Sequence, residues 1–243
     1  MADWEAALRL KPTGTFVVAR SAARRPAGVG RSTPTLALPA TRRTISIVGA
    51  VTEISQLVLG ERQARDRAWW DQMRSAYATE SAVRLSWFTG SGPDFVTASQ
   101  QMVGRGDTAI HRLGPPVVRL NGDRALVELP AVIELRTTLA GVEVDVESRT
   151  RLCYRTERQA GRWLIVALDP IYERDTLTPV YPGAEFTVTP ADVASFRPAY
   201  RFLSHLLSQR GYTPDGDMYG DDRPDQVGEF YQHAFAWLGT SPP

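Results

Sequence analysis

The sequence predicts an α+β fold: a strongly bent antiparallel sheet, shaped as a cone-like half-barrel, that encloses N-terminal helices and carries a C-terminal helical extension. Three observations lead there. Apolar residues recur at helical spacing ahead of Thr108. From Thr108 onward long β-type segments are separated by the turn signals Asn121-Gly122-Asp123, Ala140-Gly141 and Gln159-Ala160-Gly161. After Tyr181-Pro182-Gly183 the pattern turns helical again.

These breaks divide the chain into 1–47, 48–182 and 183–243. The first stretch is rich in Arg, Ala, Pro, Ser and Thr. From Ala6 to Thr52 it holds basic residues and no acidic one. A disordered basic tail, a transit-like peptide and an extension from a misplaced start codon all fit that composition, and the disordered tail is the expectation favoured here.

Thr52 reads as a helix N-cap followed by acidic Glu53. Ile54, Leu57, Val58 and Glu61 recur at helical spacing, which predicts a helix over 53–65. A second helix is expected over 69–78, with Trp70, Met73 and Tyr77 on one face. The alternation from Ala82 to Trp87 reads as a strand, and Pro93 suits the first turn of a helix reaching Met102. Strands are expected over 108–120, 124–138, 142–157 and 162–172. They exceed the usual ~5–6 residues, so they must bend, and Pro115-Pro116 and Pro130 mark bulge or edge positions. In the tail, Tyr200, Leu203, Leu206 and Leu207 form one helical stripe, ended by Arg210-Gly211. Arg223-Pro224 opens another helix with Val227, Phe230, Tyr231, Ala234 and Trp237 on one side. This tail would cover the pocket mouth, pack on the back of the sheet, or join a dimer.

Bulk properties exclude several classes of function. A net charge of +1 over 243 residues gives nucleic acid or an anionic membrane no electrostatic footprint. No apolar run reaches the ~18 residues of a membrane span. Cys153 is the only cysteine, so neither an intramolecular disulfide nor a Cys-based zinc site can form. His111, His205 and His233 lie far apart and make no metal-ligand motif. The turn starting at Asp215 looks like the opening of a calcium loop, but Tyr219 and Gln226 stand where oxygen ligands are needed. No metal or cofactor is expected, and the cytoplasm is the default location.

The chemistry centres on Glu61–Asp71, ERQARDRAWWD, where Asp66 lies between arginines and a tryptophan pair. Two readings stand side by side. Asp66 is a surface carboxylate paired with Arg62, Arg65 or Arg67, or it is buried and partnered, since an unpartnered buried carboxylate is costly. His111, at the start of the first long segment, is the candidate partner: a carboxylate on one ring nitrogen makes the other a better general base.

The order of a helix, DRAWWD, a strand, a helix, His111 and a meander ending GRWLIVALDPIYERD resembles the nuclear transport factor 2-like superfamily, most closely its SnoaL-like branch. That branch and its relatives include polyketide cyclases, scytalone dehydratase, ketosteroid isomerase and a dehydrochlorinase. The resemblance covers about residues 50–182. It implies a dyad in which Asp66 orients His111, and it places Trp87 where scytalone dehydratase has a tyrosine that positions a water or carbonyl. It allows a homodimer through the convex sheet face. The chain departs from the pattern near Leu135, where some dehydratases carry a second histidine, at Glu61, where relatives have tyrosine or lysine, and near Leu168-Asp169, where the dehydrochlorinase has arginine.

The expectation is a cofactor-free lyase or isomerase, dehydratase- or cyclase-like, acting on a hydrophobic carbonyl-bearing small molecule. Asp66 and His111 are its catalytic pair, and Trp70, Trp87, Tyr154, Tyr172 and Arg149 its substrate contacts. The alternative is a non-catalytic small-molecule binder or assembly protein on the same fold.

Overall fold

The computed structural model describes residues 47–185 and 187–243; the expected basic tail lies outside them. The described residues all fall within one compact unit. Its first helix, α1 (Ile47–Asp66), reaches further back than the predicted start at residue 53. Thr52 is therefore inside the helix, not its cap, and its Oγ1 donates back to the Val48 carbonyl at 2.9 Å. The helix stops at Ala68, whose left-handed backbone (φ 57°) lets the Trp69 N–H reach back to the Ala64 carbonyl at 2.9 Å. A short α2 (Trp70–Ala76) follows, then β1 (Tyr77–Leu85), β2 (Phe88–Gly90) and α3 (Gly92–Gly104). Ser91 caps α3 by accepting from the Asp94 N–H. Gly92 is there for space: a Cβ would sit 2.4 Å from the Tyr77 ring.

The predicted strand over 108–120 is two strands, β3 (Ile110–Leu113) and β4 (Val117–Asn121), parted at Gly114-Pro115-Pro116. Both pair antiparallel with β5 (Arg124–Leu139). Pro130, which has no N–H, falls in β5 at the gap between the two partners, and its carbonyl accepts from Gly114 N–H at 2.8 Å. β6 (Val142–Gln159) and β7 (Arg162–Pro179) complete the meander. Ala140-Gly141 and Ala160-Gly161 take positive φ at both positions, as tight hairpins of matching twist require. β1 returns to pair parallel with β7, giving the order β2-β1-β7-β6-β5-β3. The register slips between Arg149 and Thr150 and between Arg155 and Thr156, irregularities of the kind that let long strands bend.

Alternation assigns the two faces of the sheet. Val127, Leu129, Leu152, Tyr154 and Ile165 face α1 and α3, packing with Ile54, Val58, Met73 and Phe95. Leu126, Cys153 and Ile171 point the other way, beneath α5 (Pro224–Leu238), against Phe230, Ala234, Phe235 and Leu238. α5 lies on the back of the sheet, on the face where the resemblance allowed a dimer contact. α4 (Arg201–Gln209) brings Leu203, Leu206 and Leu207 against Met102, Leu135 and Tyr172 at the open side of the cone. Among the described residues no helix is long and apolar enough to cross a membrane.

Candidate functional site

The site begins at the end of α1. Ile54, Val58, Glu61, Arg62 and Arg65 share its inward face and are buried, although three of them are charged. Glu61 neutralises Arg62 in a two-pronged pair: Nε–H donates to Oε2 at 2.6 Å and Nη2–H to Oε1 at 2.5 Å. The Tyr77 and Tyr154 hydroxyls donate to the same carboxylate at 2.9 and 3.3 Å. Burial pushes both phenols well above their usual range, so they stay protonated donors.

One residue past this inward face, Asp66 meets β3. Its Oδ2 accepts the His111 backbone N–H at 2.8 Å, and its Oδ1 lies 2.6 Å from His111 Nδ1. The N–H of an edge strand and the ring beside it are thus held by one carboxylate. Asp66 is not a surface group paired with arginine: its side chain is 12% exposed and that of His111 7%. Burial raises the Asp66 pKa, but the ring and backbone hydrogen bonds from His111 outweigh it and hold the carboxyl below its ordinary value. With Asp66 ionised, Nδ1 carries the proton and Nε2 is left to accept one. Burial, reinforced by the Arg62 and Arg65 charges, lowers the His111 pKa against the pull of Asp66. The ring is therefore held neutral, the form a general base needs.

His111, Arg62 and Arg65 open onto a cavity of about 60 Å³. Its walls are mainly apolar: Leu85, Trp87, Phe95, Met102, Ile133 and Leu152, with Leu203 and Leu207 contributed by α4. Tyr172 stands in the wall, its hydroxyl donating to Ser86 Oγ at 3.0 Å and accepting the Ser86 N–H at 3.3 Å. Burial pushes its pKa up to about 12. The volume holds roughly two waters at ~30 Å³ each, far below the ~300–1,000 Å³ of ordinary ligand sites.

Of the residues expected at the site, His111, Trp87 and Tyr172 line this cavity, and Asp66 meets it only through His111. The other three do not line it. Tyr154 is wholly buried with its hydroxyl committed to Glu61. Arg149 pairs with Glu147 at 3.1 Å, at a position that strand alternation puts on the convex face with Arg151 and Cys153. Trp70 opens α2 and borders a shallow surface groove with Trp69 and Gln72. Arg65, Ser86, Leu203 and Leu207 line the cavity and were not expected there.

A larger groove of about 320 Å³ lies on the opposite face, between the sheet, α5 and Pro242-Pro243. It offers no comparable chemistry. Glu128 is taken by Arg151 and Tyr231, and burial pushes the Cys153 thiol well above its usual range. The calcium-like turn is bound up in the fold as well: Asp215 and Asp217 pair with Arg84 and Arg223. Among the described residues no group of three or more His, Cys, Asp or Glu could hold a metal ion.

Residues 48–169, half of the chain, match the SnoaL-like domain family. The PEP2-like protein NECHADRAFT_97050 of Fusarium vanettenii is 29% identical over 157 residues, covering 63% of this chain and 67% of that protein. Pea pathogenicity protein 2 of the same fungus is 28% identical over 159 residues, with the same coverage of 63% and 67%. Among solved structures, the hexachlorocyclohexane dehydrochlorinase LinA-type3 of Novosphingobium barchaimii LL02 superposes with a TM-score of 0.46 at 14% identity, covering 58% of this chain and 97% of that one. The helix–strand order, the bent sheet closed over α1 and α3, and the match through residues 48–169 agree, and the chain belongs to the SnoaL-like domain family.

Proposed function

We propose that the protein is a cofactor-free lyase or isomerase that removes a proton next to a carbonyl in a hydrophobic small molecule. His111 is the base and Asp66 its orienting carboxylate. His111 Nε2 takes the proton, and the electron pair of the broken C–H bond moves toward the carbonyl as an enolate. The enolate then expels a leaving group from the β-carbon or is reprotonated elsewhere. The imidazolium formed is stabilised by Asp66 through Nδ1–H. The observation that carries this reading is the 2.6 Å contact between Nδ1 and Oδ1 at the wall of an apolar cavity.

Proton abstraction can be followed before the leaving group is known. Carbonyl compounds with an acidic α-proton are incubated with the protein in D₂O, and exchange is read by proton NMR. His111→Ala should slow protein-dependent exchange by roughly 10²–10⁴-fold. Exchange that proceeds equally fast in the variant would remove the proposal.

A second reading, a binder or assembly protein without catalysis, is favoured by one observation: the cavity is only about 60 Å³, with Leu203 and Leu207 in its wall. In that reading the Asp66–His111 contact ties α1 to the edge strand and nothing more. No exchange by the wild-type protein, for any compound it binds, would favour it.

A further inference from the structure

Arg62 and Arg65 sit almost one turn apart on the same inward face of α1, 2% and 4% exposed, and their surroundings differ. Arg62 has its carboxylate in Glu61. Arg65 has none: among the described residues it makes no ion pair. Its Nη2–H donates at 3.3 Å to the Met102 thioether, a weak acceptor. Asp66, next in sequence, attracts it at longer range, but the Asp66 oxygens are held by the His111 N–H and ring. Burial first, then repulsion from Arg62, pushes the Arg65 pKa down to about 10, so it remains a cation near neutral pH.

A buried guanidinium lining a small, mainly apolar cavity without a counter-ion is an expensive arrangement for stability alone. It is what a site for an anion requires before the anion arrives. We propose that the cavity binds an organic carboxylate, with the Arg65 guanidinium as its counter-charge and the apolar walls taking the attached carbon skeleton. The present volume is of the order of a carboxylate head alone. The skeleton must then lie toward α4, where Leu203 and Leu207 give way to it. This inference rests on the cavity and Arg65, not on proton transfer by His111, and holds whether or not the protein is an enzyme.

Matched pairs test it: hexanoate against hexanamide, benzoate against benzamide, phenylacetate against phenylacetamide, titrated into the full chain at constant ionic strength and read by calorimetry and NMR. At least one carboxylate should bind roughly 10–100-fold more tightly than its amide, the range of one charge-assisted hydrogen-bonded pair. Arg65→Met, which keeps the unbranched apolar stem, should abolish that preference and raise the urea midpoint of the ligand-free protein. Arg65→Lys keeps the charge and should retain part of the preference, so the proposal stays testable if the methionine variant does not fold. Equal binding of acid and amide, a preference that survives Arg65→Met, or no binding of any carboxylate at millimolar concentration would each overturn the proposal. A lower midpoint in Arg65→Met would count against it too, because the charge would then already be balanced within the protein.

Discussion

Glu61→Gln should be among the most damaging single changes in this fold, although the side chain keeps its size. The wild-type carboxylate is 1% exposed and accepts four hydrogen bonds, two from Arg62 and one each from Tyr77 and Tyr154. A glutamine has one acceptor oxygen for them and turns an NH₂ group toward the other donors. It also leaves Arg62 as a buried cation with its counter-charge gone. Breaking a buried pair from one side costs about 3–5 kcal/mol, a large part of the ~5–15 kcal/mol that holds a domain together. For a unit of this size that corresponds to a loss of roughly 6–20 °C in Tm. Urea denaturation measures it, with an unchanged slope confirming that stability and not compactness moved. The control is Glu61→Met with Arg62→Met, which removes both charges and should recover most of the loss. The reasoning fails if Glu61→Gln costs less than about 1 kcal/mol, or if the double variant is no better than the single one.

Two further expectations concern pH. The His111 pKa is lowered in the folded state, so below its ordinary value of ~6.5 the unfolded chain takes up a proton that the folded ring refuses. Its contribution to stability is therefore complete above ~6.5 and lost as pH falls through the folded value; an NMR titration should find the ring neutral below ~6.5, and His111→Gln should flatten that part of the stability curve. Asp175 behaves oppositely. It accepts the Leu203 N–H at 2.8 Å at the start of α4, yet among the described residues Oδ1 has no hydrogen-bond partner, and burial pushes its pKa up to about 6. Its contribution is complete below ~3.9 and lost as pH rises through about 6, so Asp175→Asn should stabilise the protein above that pH by at most about 3 kcal/mol, read from denaturation at pH 5 and pH 8.

The inward face of α1 shows how much of the site was legible and how it was misread. Ile54, Val58, Glu61 and Arg65 recur at steps of three and four, so the spacing that marks Ile54 and Val58 as core marks the charged residues as core too. The sequence reading keeps Glu61 in that stripe but takes Arg65 only as a surface partner for Asp66. The buried Glu61–Arg62 pair cannot be anticipated from residue type, because Tyr77 and Tyr154, which complete it, come from β1 and β6. Tyr154 was expected at the substrate for the same reason: alternation places it on the concave face but does not say that Glu61 meets its hydroxyl first. Arg149 failed on strand phase, since one residue in β6 separates the cavity side from the outer side.

Local pattern sufficed for the meander. The turns at Ala140-Gly141 and Ala160-Gly161 and the alternation between them are short-range features, and they specify hairpins wherever they occur. The proline pair that divides β3 from β4 is equally local, although its effect was read as a bend and not as a break. The contact between Asp66 and His111 is of another kind. It spans 45 residues, and it exists because α1 ends at Asp66 just where β3, held in register by β5, leaves the His111 N–H free at the sheet edge. The place of Leu203 and Leu207 in the cavity wall is also a packing outcome: a helical stripe in the tail is apolar toward any surface that will cover it, and only the assembled fold offers that one. Periodicity reports which face of an element is apolar. Which elements meet, and which charges are left facing a cavity, depends on the long-range packing that brings them together.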